Sequence, residues 1–438
     1  MLKRFAIVAL LLLTATLSAQ TLDQRIDREL PALLDTYKKL HAAPELSMKE
    51  EKSSALVAAR LRELGYEVTE RVGKYEQPGE TCYGVVAVMK NGAGPVVLIR
   101  SDMDGLPVTE QTGLPYASTV KTKNATGEEV GVMHACGHDV HMTTLVGTAK
   151  MLASMKDKWR GTVMLVGQPA EEIVAGASAL LRDGLYERFA KPDYVIAIHD
   201  AAVLPAGTIG YTPGYTMASS DSIDVTIRGV GGHGAAPEKG KDPVVIAAQF
   251  VVALQSIVSR ERSPLDPVVV TVGSIHGGTK RNIIPDEVNL YLTVRTYKPE
   301  VRDRVIESIG RIARGIAMAA GVPDDRMPIV KHHIEEAVSP TYNDPALTER
   351  VAAALARELG AANVKKIDPF MVAEDFGKFG LGGKIPTTML HLGATDPAII
   401  SGGGTVPGLH SSKFAPVPEL TLRTGVKAMT TMALDLLK

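Results

Sequence analysis

The run Met133-His134-Ala135-Cys136-Gly137-His138-Asp139, with Glu171-Glu172, His199 and His410, supplies a thiol, several imidazoles and a pair of carboxylates. Such donors hold divalent cations, and a water held between two cations beside a spare carboxylate is an agent of hydrolysis. Cys136 and His138 stand in a glycine-containing turn ahead of a helical pattern. Free N–H groups and the positive end of the helix dipole favour a thiolate there. Adjacent side chains point in different directions, so one glutamate of the pair can ligate while the other takes a proton from water. Each fragment also has a plainer reading. Cys82, the only other cysteine, allows a disulfide with Cys136. A cysteine nucleophile with a histidine base is another use of Cys136. Paired glutamates are commonly solvated charge, and a lone His199 or His410 is commonly structural. The nucleophile explains neither Glu171-Glu172 nor the acids Asp102 and Asp104, and the disulfide ignores His138, so ligation is favoured for Cys136.

These residues need elements that end side by side. Short, β-branched apolar runs at 84–89, 95–99, 162–166 and 194–198 predict buried strands, with a helix over 141–155. Cys82, within 81–86, is expected to be buried in a strand. Ser47-Met48-Lys49-Glu50 has the signature of a capping box before a helix that Gly65 stops. The second strand is followed by Ser101-Asp102-Met103-Asp104, the third by Gln168-Pro169-Ala170-Glu171-Glu172 and the fourth by His199-Asp200. Open α/β sheets bind ligands at such carboxyl ends. The fold class is α/β with a mostly parallel sheet.

From 218 to 338 the order changes to strand 222–228, helix 243–260, strands 267–275 and 287–296, helix 299–320 and strand 327–333. That β-α-β-β-α-β order is ferredoxin-like. A helix at 345–359, a strand at 387–392 and a helix at 418–437 follow. For His410 to join Cys136, the smaller unit must be an insertion. The expected division is therefore a catalytic domain over 20–217 and 339–438, interrupted by 218–338.

The length of 438 residues also favours two domains. Hydrophobic content of 45% and charged content of 22% are ordinary for a globular chain. A formal net charge of −1 gives no electrostatic reason to expect nucleic acid or an anionic membrane as partner. Lys3 and Arg4 precede the apolar run 5–13, and Ser18-Ala19 follows. This layout predicts a secretory signal peptide over 1–19, cleaved near Ala19-Gln20, because the run is shorter than the roughly 20 residues of a membrane span. No later stretch is expected to span. The expectation is an exported protein, periplasmic or secreted, without stable membrane insertion.

The motifs resemble those of dinuclear metallohydrolases of the aminoacylase and carboxypeptidase type, above all the N-acyl-amino-acid amidohydrolases that include hippurate hydrolases and auxin-conjugate hydrolases. The resemblance is carried by His41-Ala42-Ala43-Pro44-Glu45-Leu46-Ser47, Ser101-Asp102-Met103-Asp104-Gly105-Leu106-Pro107, Cys136-Gly137-His138-Asp139 and Gln168-Pro169-Ala170-Glu171-Glu172. It continues through Gly231-Gly232-His233, Asn282-Ile283-Ile284-Pro285-Asp286, Glu374-Asp375-Phe376 and Leu409-His410-Ser411. It implies two divalent ions held by Cys136, His138, Glu172, His199 and His410, with Glu171 as general base and then proton donor. Zinc or manganese is the expected metal, nickel or cobalt the alternative. It further implies that the inserted domain is a lid and dimerisation domain. His233 would polarise the scissile carbonyl in a neighbouring subunit, and Asn282 and Arg295 would hold the substrate carboxylate, Arg295 through its bidentate fork. Glu238, Leu292, Ile173 and Asp200 depart from the group's usual residues, which bears on the acyl pocket and not on the ligands.

The resulting expectation is a homodimeric amidohydrolase that cleaves N-acyl amino acids with metal-activated water. A metallo-carboxypeptidase or dipeptidase on the same scaffold is the nearest alternative, and a non-catalytic binding protein the more distant one. His134, His141 and His391 are candidates for orienting the ligands. His41, His276, His332 and His333 are assigned to structure or surface.

Overall fold

The computed structural model describes residues 20–438 apart from Ala125, so the expected leader lies outside the described residues. The first helix, α1 (Leu22–His41), opens with a reciprocal capping box between Thr21 and Gln24. After α2 (Glu51–Glu63) come β1 (Glu67–Val72), β2 (Gly84–Asn91) and β3 (Val96–Asp102). α3 (His138–Ser154), β4 (Gly161–Gln168), α4 (Gly176–Arg182), β5 (Tyr194–Pro205) and β6 (Ile209–Tyr211) follow. Two expectations shift here. Cys82 is buried but precedes β2 instead of lying within it. β5 runs through His199 and Asp200 to Pro205 instead of ending at them, because its later half continues to pair alongside a strand from the C-terminal part.

The chain then builds a second sheet from β7 (Asp221–Arg228), β8 (Val268–His276), β9 (Glu287–Thr296) and β10 (Ile329–His332). Its order is β8-β9-β7-β10 and every pairing is antiparallel. α5 (Pro243–Ser256) and α6 (Pro299–Ala319) connect the strands. Alternate residues of β7 are buried, which is the period-2 signature of a sheet covered on one face. Ile223, Val225, Leu290, Phe250, Leu254 and Ile309 share that core. Ser220 and Val338 exchange backbone hydrogen bonds of 3.1 and 2.9 Å, so the strands that enter and leave this unit lie side by side.

α7 (Pro345–Leu359), β11 (Val364–Lys366), β12 (Thr387–Thr395) and α8 (Pro418–Leu436) return the chain to the first sheet. That sheet has eight strands in the order β1-β2-β4-β3-β5-β12-β6-β11. β4, β3, β5 and β12 run parallel at its centre, while β2 and β6 are antiparallel to their central neighbours. Both faces are covered. Val97, Ile99, Ile196 and Leu390 point into one core with α1, α3 and α8, and Leu98, Val195, Ala197 and Met389 into another with α4. This explains the unbroken apolar runs in the sequence, since a strand buried on both sides has no polar face.

One expectation is corrected. The helix Pro243–Glu261, α5 and the wider π-helical turn that extends it, is long and apolar enough to cross a membrane. Its Ile246, Ala247, Phe250 and Leu254 are instead buried against the four-stranded sheet. Val244, Val245 and Val252 on its other side are exposed.

Candidate metal centre

Gly137 and His138 stand where the turn meets α3: Gly137, at φ +73°, is the residue before the helix, and His138 is its first. Cys136 precedes them. Glu171 and Glu172 follow β4, His199 is within β5, and His410 lies on a loop at φ +65° with its N–H bonded to the Ala135 carbonyl at 2.7 Å. The last contact ties the C-terminal loop to the cysteine turn.

The fold brings all five expected ligands together. Nε2 of His138 lies 3.8 Å from Glu172 Oε1 and 4.0 Å from Glu171 Oε2. Cys136 Sγ is 3.6 Å from His199 Nε2, and His410 Nε2 is 3.5 Å from Glu172 Oε2. Donor atoms of Cys136, Glu172 and His410 form one group within 4.8 Å, and those of His138, Glu171 and Glu172 another, so Glu172 belongs to both. Cys82 and Cys136 are both free thiols.

Whether these residues suit cations is decided by what they leave unpaired. His138 Nε2 and Glu172 Oε1 are buried without a hydrogen-bond partner, while His138 Nδ1 faces Asp104 Oδ1 at 3.3 Å. Leaving buried polar atoms unsatisfied is costly, and ligands about 2.0–2.3 Å from a shared cation stand roughly 3–4 Å from one another. The charges agree. Burial, then the Glu172, Asp200 and Glu171 carboxylates, push the Cys136 thiol well above its ordinary range. The helix end alone therefore does not yield the thiolate expected from the sequence, and positive charge must be brought alongside. Burial also raises Glu172, to about 7, and raises Glu171 well above the usual carboxylate range, Glu171 being further lifted by Glu374. His199 and His410 are held down by burial and neighbouring imidazoles, in the neutral form that ligates, whereas for His138 burial is outweighed by the Asp102, Asp104 and Glu172 carboxylates, which lift it well above the ordinary imidazole range.

The surroundings orient the donors. His199 Nδ1 donates to the Asp200 carbonyl at 2.8 Å, turning Nε2 toward Cys136. Asp102 Oδ2 accepts from Arg100 at 2.6 Å and Oδ1 from His141 Nδ1 at 2.6 Å, and Asp102 also forms a candidate ligand group with His138, His141 and His199. Its two hydrogen bonds fix the carboxylate beside His138, 3.7 Å from that residue's Nε2. Asp104 accepts the N–H groups of Glu171 at 3.1 Å and Glu172 at 3.0 Å, and the Ser47 hydroxyl at 2.6 Å.

Residues 98–435 match the model of Peptidase family M20/M25/M40. The chain belongs to the M20 peptidase family. This M20 chain is 41% identical over 343 residues to a hippurate hydrolase of Campylobacter jejuni, covering 78% of this chain and 82% of the relative. It is 35% identical over 404 residues to thermostable carboxypeptidase 1 of Saccharolobus solfataricus, covering 92% and 94%. Among solved structures it resembles a dinuclear metal-binding M20 peptidase of Bacillus subtilis, with a TM-score of 0.75, 30% identity and coverage of 94% and 99%.

The remaining expected residues of this M20 chain sit on the four-stranded unit. His233 and Asn282 are exposed on a small ribbon in which Gly232–His233 pairs with Ile283–Ile284. No hydrogen bond joins them to the five metal-site residues. His233 Nδ1 accepts the Ala235 N–H at 3.0 Å, which leaves Nε2–H as an outward donor. Arg295 is half-buried on β9 and has no acidic partner among the described residues, and burial lowers its pKa.

Of the layer beneath, sequence reasoning named His134, His141 and His391 but missed Arg100. Arg100, wholly buried, bonds Asp102, Gln168 Oε1 at 2.9 Å and Glu374 Oε1 at 2.8 Å. An arginine within an apolar run followed by two acids was the available signal. His141 spans Asp102 and Asp200, and His391 bonds Thr216 at 3.2 Å beside the Phe370 ring. His134 is buried without a partner.

Proposed function

We propose that this M20 chain is a metal-dependent amidohydrolase that cleaves the amide bond of N-acyl amino acids. The observation that carries the reading is the unpartnered His138 Nε2 facing Glu171 and Glu172, beside Cys136, His199 and His410. Cys136, His138, Glu172, His199 and His410 would hold two divalent ions, zinc or manganese before nickel or cobalt. Such ions acidify water and polarise a carbonyl. Glu171, bonded through its N–H and free at its carboxylate tip, accepts the proton of the attacking water and returns it to the leaving nitrogen. His233 donates Nε2–H to the oxygen that gains charge, and Arg295 with Asn282 holds the substrate carboxylate.

His233 acts, in this reading, across a homodimer formed by the four-stranded unit, which closes as a lid over the neighbouring site. The exposed Val244, Val245 and Val252 stripe of α5 and the apolar edge strand β8 support that assembly. The leader-like segment 1–19 supports export.

The likeness to a carboxypeptidase over 92% of the chain favours one second reading, cleavage of peptides at their C-terminal residue. Kinetics on a panel of N-acetyl- and N-benzoyl-amino acids against dipeptides and longer peptides separates the two. Preference for the acyl-amino acids is expected, and a higher kcat/KM on peptides overturns the substrate class. Metal analysis of the same preparation should give close to two ions per chain.

A further inference from the structure

The turn that presents the paired glutamates is held by carboxylates from elsewhere in the chain. Three consecutive N–H groups, of Ala170, Glu171 and Glu172, donate to buried acids: Ala170 to Glu50 Oε1 at 2.8 Å, and the other two to Asp104. Successive N–H groups that converge on an anion form a nest. Ala170 stands at φ +51°, a region unfavourable for a residue with a Cβ, so something must hold it there.

Glu50 does not serve the helix it precedes. α2 begins at Glu51, and Glu50 makes no side-chain cap. The capping box read from Ser47 and Glu50 is therefore absent: the Ser47 hydroxyl goes to Asp104, and the Glu50 carboxylate crosses to Ala170. The same Glu50 oxygen accepts the N–H of Met48 at 2.9 Å, another residue with positive φ, at +67°. Glu50 is wholly buried and its second oxygen has no partner. Burial, reinforced by Asp104, pushes its pKa up to about 8. An acid so placed is poor packing material, because an apolar side chain would avoid its desolvation.

We propose that Glu50 is a positioning residue for the paired glutamates, holding the Ala170 N–H so that the turn aims Glu171 and Glu172 at His138. The inference rests on the reading of Glu171 as base and Glu172 as ligand.

The test compares E50A, E50D, E50Q and the double variant E50A/A170G as full-length protein. Turnover of an N-acyl amino acid is measured with manganese loaded, and Mn2+ affinity by calorimetry after stripping. In E50A, kcat should fall about ten- to a hundred-fold and Mn2+ affinity several-fold, with KM within about twofold, as for loss of a ligand-orienting partner. E50D retains the acid but is one methylene short, and should show the same direction of change. E50Q keeps the accepting oxygen and should stay within about threefold of the parent. Glycine reaches positive φ without strain, so A170G should restore part of the kcat lost in E50A, which it would not do if Glu50 merely filled space. Parental kcat and Mn2+ affinity in E50D overturns the proposal even if E50A fails to fold. So does E50Q as damaged as E50D, or a double variant no better than a folded E50A. If the parent hydrolyses no N-acyl amino acid, the functional reading fails, and the Mn2+ affinities alone decide the role of Glu50.

Discussion

Gly137 lies flat against the carboxylate of Asp200: a methyl group built on its α-carbon would stand 2.0 Å from Asp200 Oδ2. With φ at +73°, the position is closed to other residues twice, by backbone conformation and by space. Cys136 and His138 are its two neighbours in the chain. G137A should cost about 1–2 kcal/mol from the left-handed backbone alone, and more from the collision. Denaturant unfolding of metal-free protein checks this. D200A in the same chain should recover the collision part and not the backbone part, so no recovery would show that Asp200 is not the obstacle.

E171Q isolates the proposed base from the proposed ligands. Its amide cannot accept the water proton, yet Glu172 and the other four donors remain. Turnover is expected to fall by about a hundred- to ten-thousand-fold. The metal content should be unchanged. Loss of both together would move Glu171 into the ligand set, and preserved turnover would reject it as the base.

Removal of metal should affect stability as well as activity, because His138 Nε2 and Glu172 Oε1 have no hydrogen-bond partner in the protein. A chelator should abolish turnover, and metal at a hundred to a thousand times its dissociation constant should restore about 3–4 kcal/mol of stability per site. Thermal unfolding with and without added zinc or manganese measures the gain. C136S replaces a soft donor by a weak one and should reduce both metal content and that gain. An unaltered gain would remove Cys136 from the ligands.

His41 makes stability depend on pH in a definite direction. Burial opposes its charge, but Asp139 at 2.7 Å and Glu110 at 3.0 Å overcome this and push its pKa up to about 9. The folded value lies above the ordinary 6.5, so the contribution is complete below about pH 6.5 and disappears as pH rises through 9. Its full size is on the order of 3 kcal/mol. Urea unfolding of metal-free wild type and H41N should differ most near pH 6 and converge above pH 9. A difference that grows with pH would contradict the charged pair.

Much of this molecule can be read locally. The apolar runs of β3, β4 and β5 mark buried strands, and the β-α-β-β-α-β order of the smaller unit follows from periodicity alone. Donor chemistry is equally local: a thiol, imidazoles and carboxylates announce cations wherever they gather. What local pattern cannot carry is which acid is already spent. Asp102 looks as unencumbered as Glu172 in the sequence, but both its oxygens accept hydrogen bonds, from Arg100 and His141, while Glu172 Oε1 accepts none. Ser47 and Glu50 look like a helix cap and instead serve Asp104 and Ala170.

The chain by itself therefore determined the types of donor side chain and the order of elements, since propensity and hydrophobic period act over a few residues. Only the tertiary structure decided which oxygens and nitrogens stay free. Hydrogen-bond satisfaction is settled between partners as distant as Arg100 and Glu374, 274 positions apart, and each such bond removes a donor or acceptor from the chemistry.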